Sequence, residues 1–190
     1  MYNLIPLSDH NIVISVIGDF ETGLFESVVH KISRVFRCPT KEMPLLQDLG
    51  FAFDQERNQY HSTLILEELA NRAPASAVKV LAITDVDLFI PIMTYVYGEA
   101  QLNGKACIVS TSRLKKGLPL MDTQDAFLAR VFKEAIHELG HTFNLLHCPD
   151  YACIMHYCRS EDDVDRKSEE LCRYCGIFLQ DALKKGDSHT

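Results

Sequence analysis

Apolar positions along the chain alternate between short continuous runs and helical stripes. Residues 11–17 (NIVISVI) form a β-branched run closed by Gly18, the pattern of a buried strand. Leu24, Val28, Val29, Ile32, Val35 and Phe36 recur at helical spacing and predict a helix over about residues 21–36, interrupted by Pro39 and Pro44. Leu64, Ile65, Leu66 and Leu69 place a second helix in residues 59–72, and residues 78–83 (VKVLAI) read as a second buried strand. This alternation predicts a parallel core. Residues 91–98 and 105–110 read as two further short strands separated by the Asn103-Gly104 turn signal, one of them an antiparallel edge. Asp122 and Thr123 then cap a long helix whose apolar positions are Phe127, Val131, Phe132, Ala135 and Ile136. Beyond residue 147 the regular pattern dissolves, until an amphipathic helix around Ile177, Phe178, Leu179 and Leu183.

With 190 residues the chain suits one domain, split at most into two lobes around a cleft, and can bury a core without disulfides. Apolar residues make up 47% and charged residues 24%, the balance of a soluble globular protein rather than a disordered or membrane-spanning one. The first ten residues lack a basic start, and the apolar run after them ends without a small-residue cleavage site, so the expected location is cytoplasmic. A net charge of −7 and no basic block longer than Lys115-Lys116 or Lys184-Lys185 argue against a nucleic-acid or membrane partner. A monomer is expected. Seven cysteines in such a chain point to metal ligands or reduced thiols rather than a disulfide framework. Cys38 and Cys107 stand alone and read as buried small hydrophobes.

The helix capped by Thr123 leads into His137-Glu138-Leu139-Gly140-His141, with His147 six residues further on. Residues four apart lie one above the other on a helix, so His137 and His141 can offer two imidazole nitrogens to one metal, with Glu138 beside them. At about 100° per residue, His147 would point away from that metal if the helix continued, so the helix must end in between. Asn144 is the candidate stop, because asparagine tolerates the left-handed conformation that ends helices. Three imidazoles and one open position suit a hydrolytic zinc, which lowers the pKa of bound water to about 7 while a carboxylate, here Glu138, takes its proton as general base. His10, His30, His61 and His189 lack partner spacing and read as surface or locally bonded histidines.

Cys148 with Cys153, and Cys172 with Cys175, have loop sizes that wrap pairs of thiolates around a tetrahedral ion, a staple suited to a small lobe with few apolar residues. Cys158 lies a further five positions beyond Cys153 and could replace either member of the first pair. Because Cys148 directly follows His147, a catalytic and a structural zinc, two per chain, would share one backbone segment.

His137-Glu-x-x-His141-x-x-Asn144-x-x-His147-Cys148-x4-Cys153-x-Met155, with the distant Cys172-x-x-Cys175, resembles the archaemetzincins, a branch of the metzincin zinc peptidases. The resemblance selects Cys148, Cys153, Cys172 and Cys175 as the structural ligands, leaves Cys158 spare, and gives Met155 the place of the methionine turn beneath the zinc. It also implies an α+β, zincin-like (metzincin) fold with a mixed, mostly parallel twisted sheet and an antiparallel edge strand. An active-site helix would join an N-terminal subdomain, 1–147, to a small zinc-stapled C-terminal subdomain, 148–190. Family members usually carry glycine where this chain has Asn144, and the interval from Met155 to Cys172 is about one residue shorter than the family's. In related metzincins such as astacins a tyrosine placed like Tyr157 contacts the zinc or the oxyanion. In zincins a peptide lies along the edge strand, for which residues 93–97 are the candidate. Asp85 and Asp87 read as turn residues without a role.

The expected function is therefore a zinc metalloprotease, an endopeptidase or an aminopeptidase acting on peptide or protein substrates. The alternative is a zinc-stabilised peptide-binding module with little or no turnover. A cysteine-rich redox or nucleic-acid ribbon would rest on Cys172-x-x-Cys175 alone and conflicts with the acidic balance.

Overall fold

The structure, a computed structural model, describes residues 10–118 and 123–187. Asp122, the expected helix cap, and His189 lie outside the described residues. Eight strands appear among them: β1 (Asn11–Ile17), β2 (Thr40–Glu42), β3 (Phe53–Asp54), β4 (Gln59–His61), β5 (Ala77–Thr84), β6 (Leu88–Phe89), β7 (Gly98–Ala100) and β8 (Ala106–Ser110). The helices are α1 (Glu26–Phe36), α2 (Ser62–Arg72), α3 (Thr123–Thr142), α4 (Glu161–Arg166) and α5 (Arg173–Asp187). None of the described helices is long and apolar enough to cross a membrane.

The main sheet has the order β2-β1-β5-β8-β7, parallel except for its β7–β8 edge. Strand alternation divides the core between the two faces. Ile12, Ile14, Leu81, Ile83, Cys107 and Val109 pack with residues of α1 and α3, whereas Val13, Val80, Ala82, Ala106 and Ile108 pack with residues of α2. The first cluster continues through Cys153, Ile154, Met155, Val164 and Leu179, so the chain beyond residue 147 shares one core with α3. Sheet class, parallel core and antiparallel edge are as the sequence predicts.

Several boundaries differ. Helix α1 starts at Glu26 because Gly23, with φ +81°, turns the chain just before it. Residues 59–61 are a strand, pairing antiparallel with β3 and parallel with β6, and only from Ser62 does the backbone become helical. The expected edge strand at 93–97 is instead a looped lip, with Ile92 at 88% exposure, and the edge strand proper is β7. Pro91 opens a turn there, and Val96 keeps a single bridge to Leu88. Cys107 is buried as expected, while Cys38 is only half-buried.

Helix α3 departs most from a surface amphipathic helix. Beside its apolar stripe runs a second one, Arg130, Lys133, Glu134, His137 and Glu138, and all five are buried. The segment after residue 160 supplies partners for the first three. Arg130 makes two hydrogen bonds to Asp165, at 2.8 and 2.6 Å, and Lys133 donates to the carbonyls of Val164 and Asp165. Lys167, fully buried, forms an ion pair with Glu134 at 2.7 Å. Burial alone would pull the Lys167 amine down, but the charge of Glu134, with Cys158 beside it, holds it above its ordinary value. A carboxylate left alone in such a place costs several kcal/mol. Lys167→Met is expected to reduce unfolding free energy by about 3–5 kcal/mol, measured by urea unfolding. Adding Glu134→Leu should restore most of that loss, whereas an unchanged midpoint in the single variant would show that the pair is unimportant.

Candidate active site

The last turn of α3 fixes three imidazoles. Asn144 adopts φ +67°, the Leu145 N–H donates to the Gly140 carbonyl at 3.0 Å, and the Asn144 N–H donates to the His141 carbonyl at 2.9 Å. These two bonds are a Schellman ending with asparagine in the left-handed position, the stop the sequence requires. The reversed chain then brings His147 back: its ring centroid lies 5.2 Å from that of His137 and 4.9 Å from that of His141.

Nδ1 of His137 lies 3.1 Å from the Ile154 carbonyl, and Nδ1 of His141 lies 2.7 Å from the Leu145 carbonyl. A carbonyl only accepts, so both Nδ1 atoms carry the proton and both Nε2 atoms present lone pairs. Those two Nε2 atoms are 3.1 Å apart. Two facing lone pairs repel unless a cation sits between them, and tetrahedral zinc with N at 2.0–2.1 Å sets such nitrogens about 3.3 Å apart. Burial also pushes all three imidazoles below their ordinary range, aided at each by the charge of Lys167, which keeps them neutral as a metal requires. The three donor nitrogens lie within 4.8 Å of one another.

Glu138 lies at the inner end of this group. Burial pushes its carboxyl well above the ordinary range, Glu134 and Glu99 push the same way, and Lys167 opposes them. Glu138 rests against the edge strand: a Cβ added at Gly98 would stand 2.7 Å from its Cγ and 2.6 Å from the Ile108 carbonyl oxygen. Met155 is fully buried beneath the helix, and a Cβ at Gly140 would meet its Sδ at 2.6 Å. Gly140 therefore leaves room for the methionine floor.

Four thiols, Cys148, Cys153, Cys172 and Cys175, also lie within 4.8 Å of one another. The Cys148 and Cys172 Sγ atoms are 3.7 Å apart, too far for a disulfide and close to the roughly 3.8 Å edge of a tetrahedral zinc thiolate. Burial raises the Cys148 and Cys175 thiols, and a bound cation would counter that rise. Cys158 lies outside this group; its half-buried side chain lines the cleft above the histidines. The backbone ties the two clusters together, since the Cys148 N–H donates to the Met155 carbonyl at 2.9 Å.

The histidines open onto a cleft of about 340 Å³, walled by residues 93–99 on one side and by His147, Tyr157, Cys158 and Arg159 on the other. The model for Peptidase family M54 matches residues 51–181. The chain belongs to peptidase family M54. An archaemetzincin from Methanocaldococcus jannaschii is 36% identical over 173 residues, covering 90% of this chain and 93% of its own. The crystal structure of archaemetzincin from Methanopyrus kandleri superposes with a TM-score of 0.82 at 32% identity, covering 95% of this chain and 99% of that one. A zinc-dependent peptidase from Methanocorpusculum labreanum follows at 0.79 and 28% identity, covering 89% of this chain and 100% of its own.

Several residues of this M54 site are not singled out by the sequence motif. Gly98 clears space for Glu138, and Glu134 with Lys167 sets the charge around it. On the cleft wall, Glu99 accepts hydrogen bonds from the Ser62 and Thr63 hydroxyls at the start of α2. The polar residues spaced three and four apart upstream of His137 were the available signal for Glu134; nothing local marks Gly98. Gly98→Ala is expected to lower kcat for peptide cleavage by about a hundredfold, the scale of a 1 Å displacement of a reacting group. KM and metal content should stay near those of the parent protein, and an unaltered kcat would show that Glu138 needs no such clearance.

Proposed function

We propose that this chain is a zinc-dependent metallopeptidase in which His137, His141 and His147 hold a catalytic zinc and Glu138 is the general base. The observation that carries this is the pair of lone-pair Nε2 atoms 3.1 Å apart, with the third imidazole and a buried carboxylate beside them. Membership of family M54 supports the same chemistry. Zinc held there supplies a Lewis acid that brings the pKa of water to about 7. Glu138, braced by Gly98, takes the proton of the attacking water and returns it to the leaving nitrogen. The ring of Tyr157 stands 5.1 Å from that of His147, on the cleft wall, and its hydroxyl is assigned to the oxyanion that develops on the substrate carbonyl.

Cys148, Cys153, Cys172 and Cys175 hold a second, structural zinc, which fixes the C-terminal subdomain, 148–190, against the N-terminal subdomain, 1–147. Support comes from the converging thiols and from their backbone tie to Met155. A tetrad of reduced thiols also fits a cytoplasmic protein. The substrate is a peptide.

Metal analysis is expected to give two zinc ions per chain, both retained in Glu138→Ala, which should cleave nothing from a peptide library that the parent chain cuts. Two zinc ions with no cleavage by the parent chain would leave a peptide-binding module instead. Tyr157→Phe should lower kcat by about tenfold or more, the scale of a lost oxyanion donor, with little change in KM. Turnover equal to that of the parent would remove the tyrosine from the mechanism.

A further inference from the structure

We propose that the end of the cleft bounded by Tyr95 and Arg159 receives the C-terminal carboxylate of a short peptide, so that this enzyme shortens its substrates from the carboxyl end. The proposal deepens the peptidase reading above and rests on it.

Two observations define this end. First, the cleft walls are joined there: the Tyr95 hydroxyl, on the lip, donates to the Arg159 carbonyl, on the opposite wall, at 3.2 Å. Both sides of that bridge are braced. The Arg113 guanidinium lies 3.9 Å from the Tyr95 ring centroid and is itself held by Asp87 through two bonds of 2.7 Å. The Arg159 N–H donates to Asp163 at 3.0 Å. The bridge stands only three residues along the chain from Gly98, which marks the level of Glu138. A peptide lying against β7 therefore has space for at most about three residues beyond the reacting bond, at roughly 3.3 Å per residue.

Second, Arg159 lines the cleft, its guanidinium stands 5.9 Å from the Tyr157 ring centroid, and among the described residues no carboxylate pairs with it. A cation beside a closed end repels a substrate ammonium and binds a carboxylate, with the fork geometry that favours a planar anion. Glu99, on the cleft wall, accepts one hydrogen bond at each oxygen, from the Ser62 and Thr63 hydroxyls, which hold its carboxylate toward the start of α2.

The test uses one peptide sequence as free acid, C-terminal amide and N-acetylated free acid, with zinc-loaded protein and mass spectrometry of the products. Both free acids should lose about one to three C-terminal residues. Amidation should lower kcat/KM by about tenfold or more, the range for a charge-assisted hydrogen bond, and Arg159→Met should close the gap between acid and amide. Tyr95→Phe, which opens the bridge, should raise cleavage of internal bonds. Calorimetry on zinc-loaded Glu138→Ala reads the same preference without turnover. If the parent chain cuts nothing but this variant binds acid about tenfold tighter than amide, the catalytic reading fails and the carboxylate pocket stands. Equal binding of acid and amide, or cleavage abolished by N-acetylation, overturns the pocket. An amidated peptide ending in Asp that binds as well as the free acid overturns the assignment to the terminal carboxylate.

Discussion

Helix α3 carries five polar or charged residues into the interior, and the molecule is arranged around the need to satisfy them. An unpaired ion at such a depth would cost a large share of the 5–15 kcal/mol that stabilises a typical domain. Asp165, Lys167 and the carbonyls of residues 164 and 165 meet that need, which makes α4 and its flanks a lid on the helix rather than a surface appendage. The ion pair between Glu134 and Lys167 lies one turn before the histidines. It settles the local charge balance and fixes the lower wall of the cleft in one step.

From that constraint the site geometry follows. Ahead of that lid, the chain presents the Ile154 carbonyl to His137 and the Met155 carbonyl to Cys148, so one short stretch of backbone selects an imidazole tautomer, floors the helix and positions a thiol. Shape on the opposite side comes from what is missing. Gly98 and Gly140 are the two places where a methyl group would strike Glu138 or Met155. Close packing of this kind leaves the Glu138 and Met155 side chains little freedom to move.

Much of this was legible in the chain itself. The strand runs at 11–17 and 78–83 were plain because fully buried parallel strands are continuously apolar. The histidine spacing required a helix stop, and Asn144 was the residue able to make it. What stayed hidden depended on contacts distant in sequence. Residues 91–97 carry the β-branched and aromatic composition of a strand, yet they loop because Arg57 and Arg113, from other segments, hold the lip through its carbonyls and through Tyr95. Nothing within α3 marks Glu134 for burial, because its partner Lys167 lies far along the chain.

The order of the chain gives the buried ion pair a consequence for biosynthesis. Translation delivers α3 complete, with Glu134 in place, well before Lys167 and the second pair of cysteines. Until then Glu134 lacks the cation that pairs with it in the folded chain. A chain ended before Lys167 would therefore carry every residue of the histidine motif beside a carboxylate that has lost its ion-pair partner.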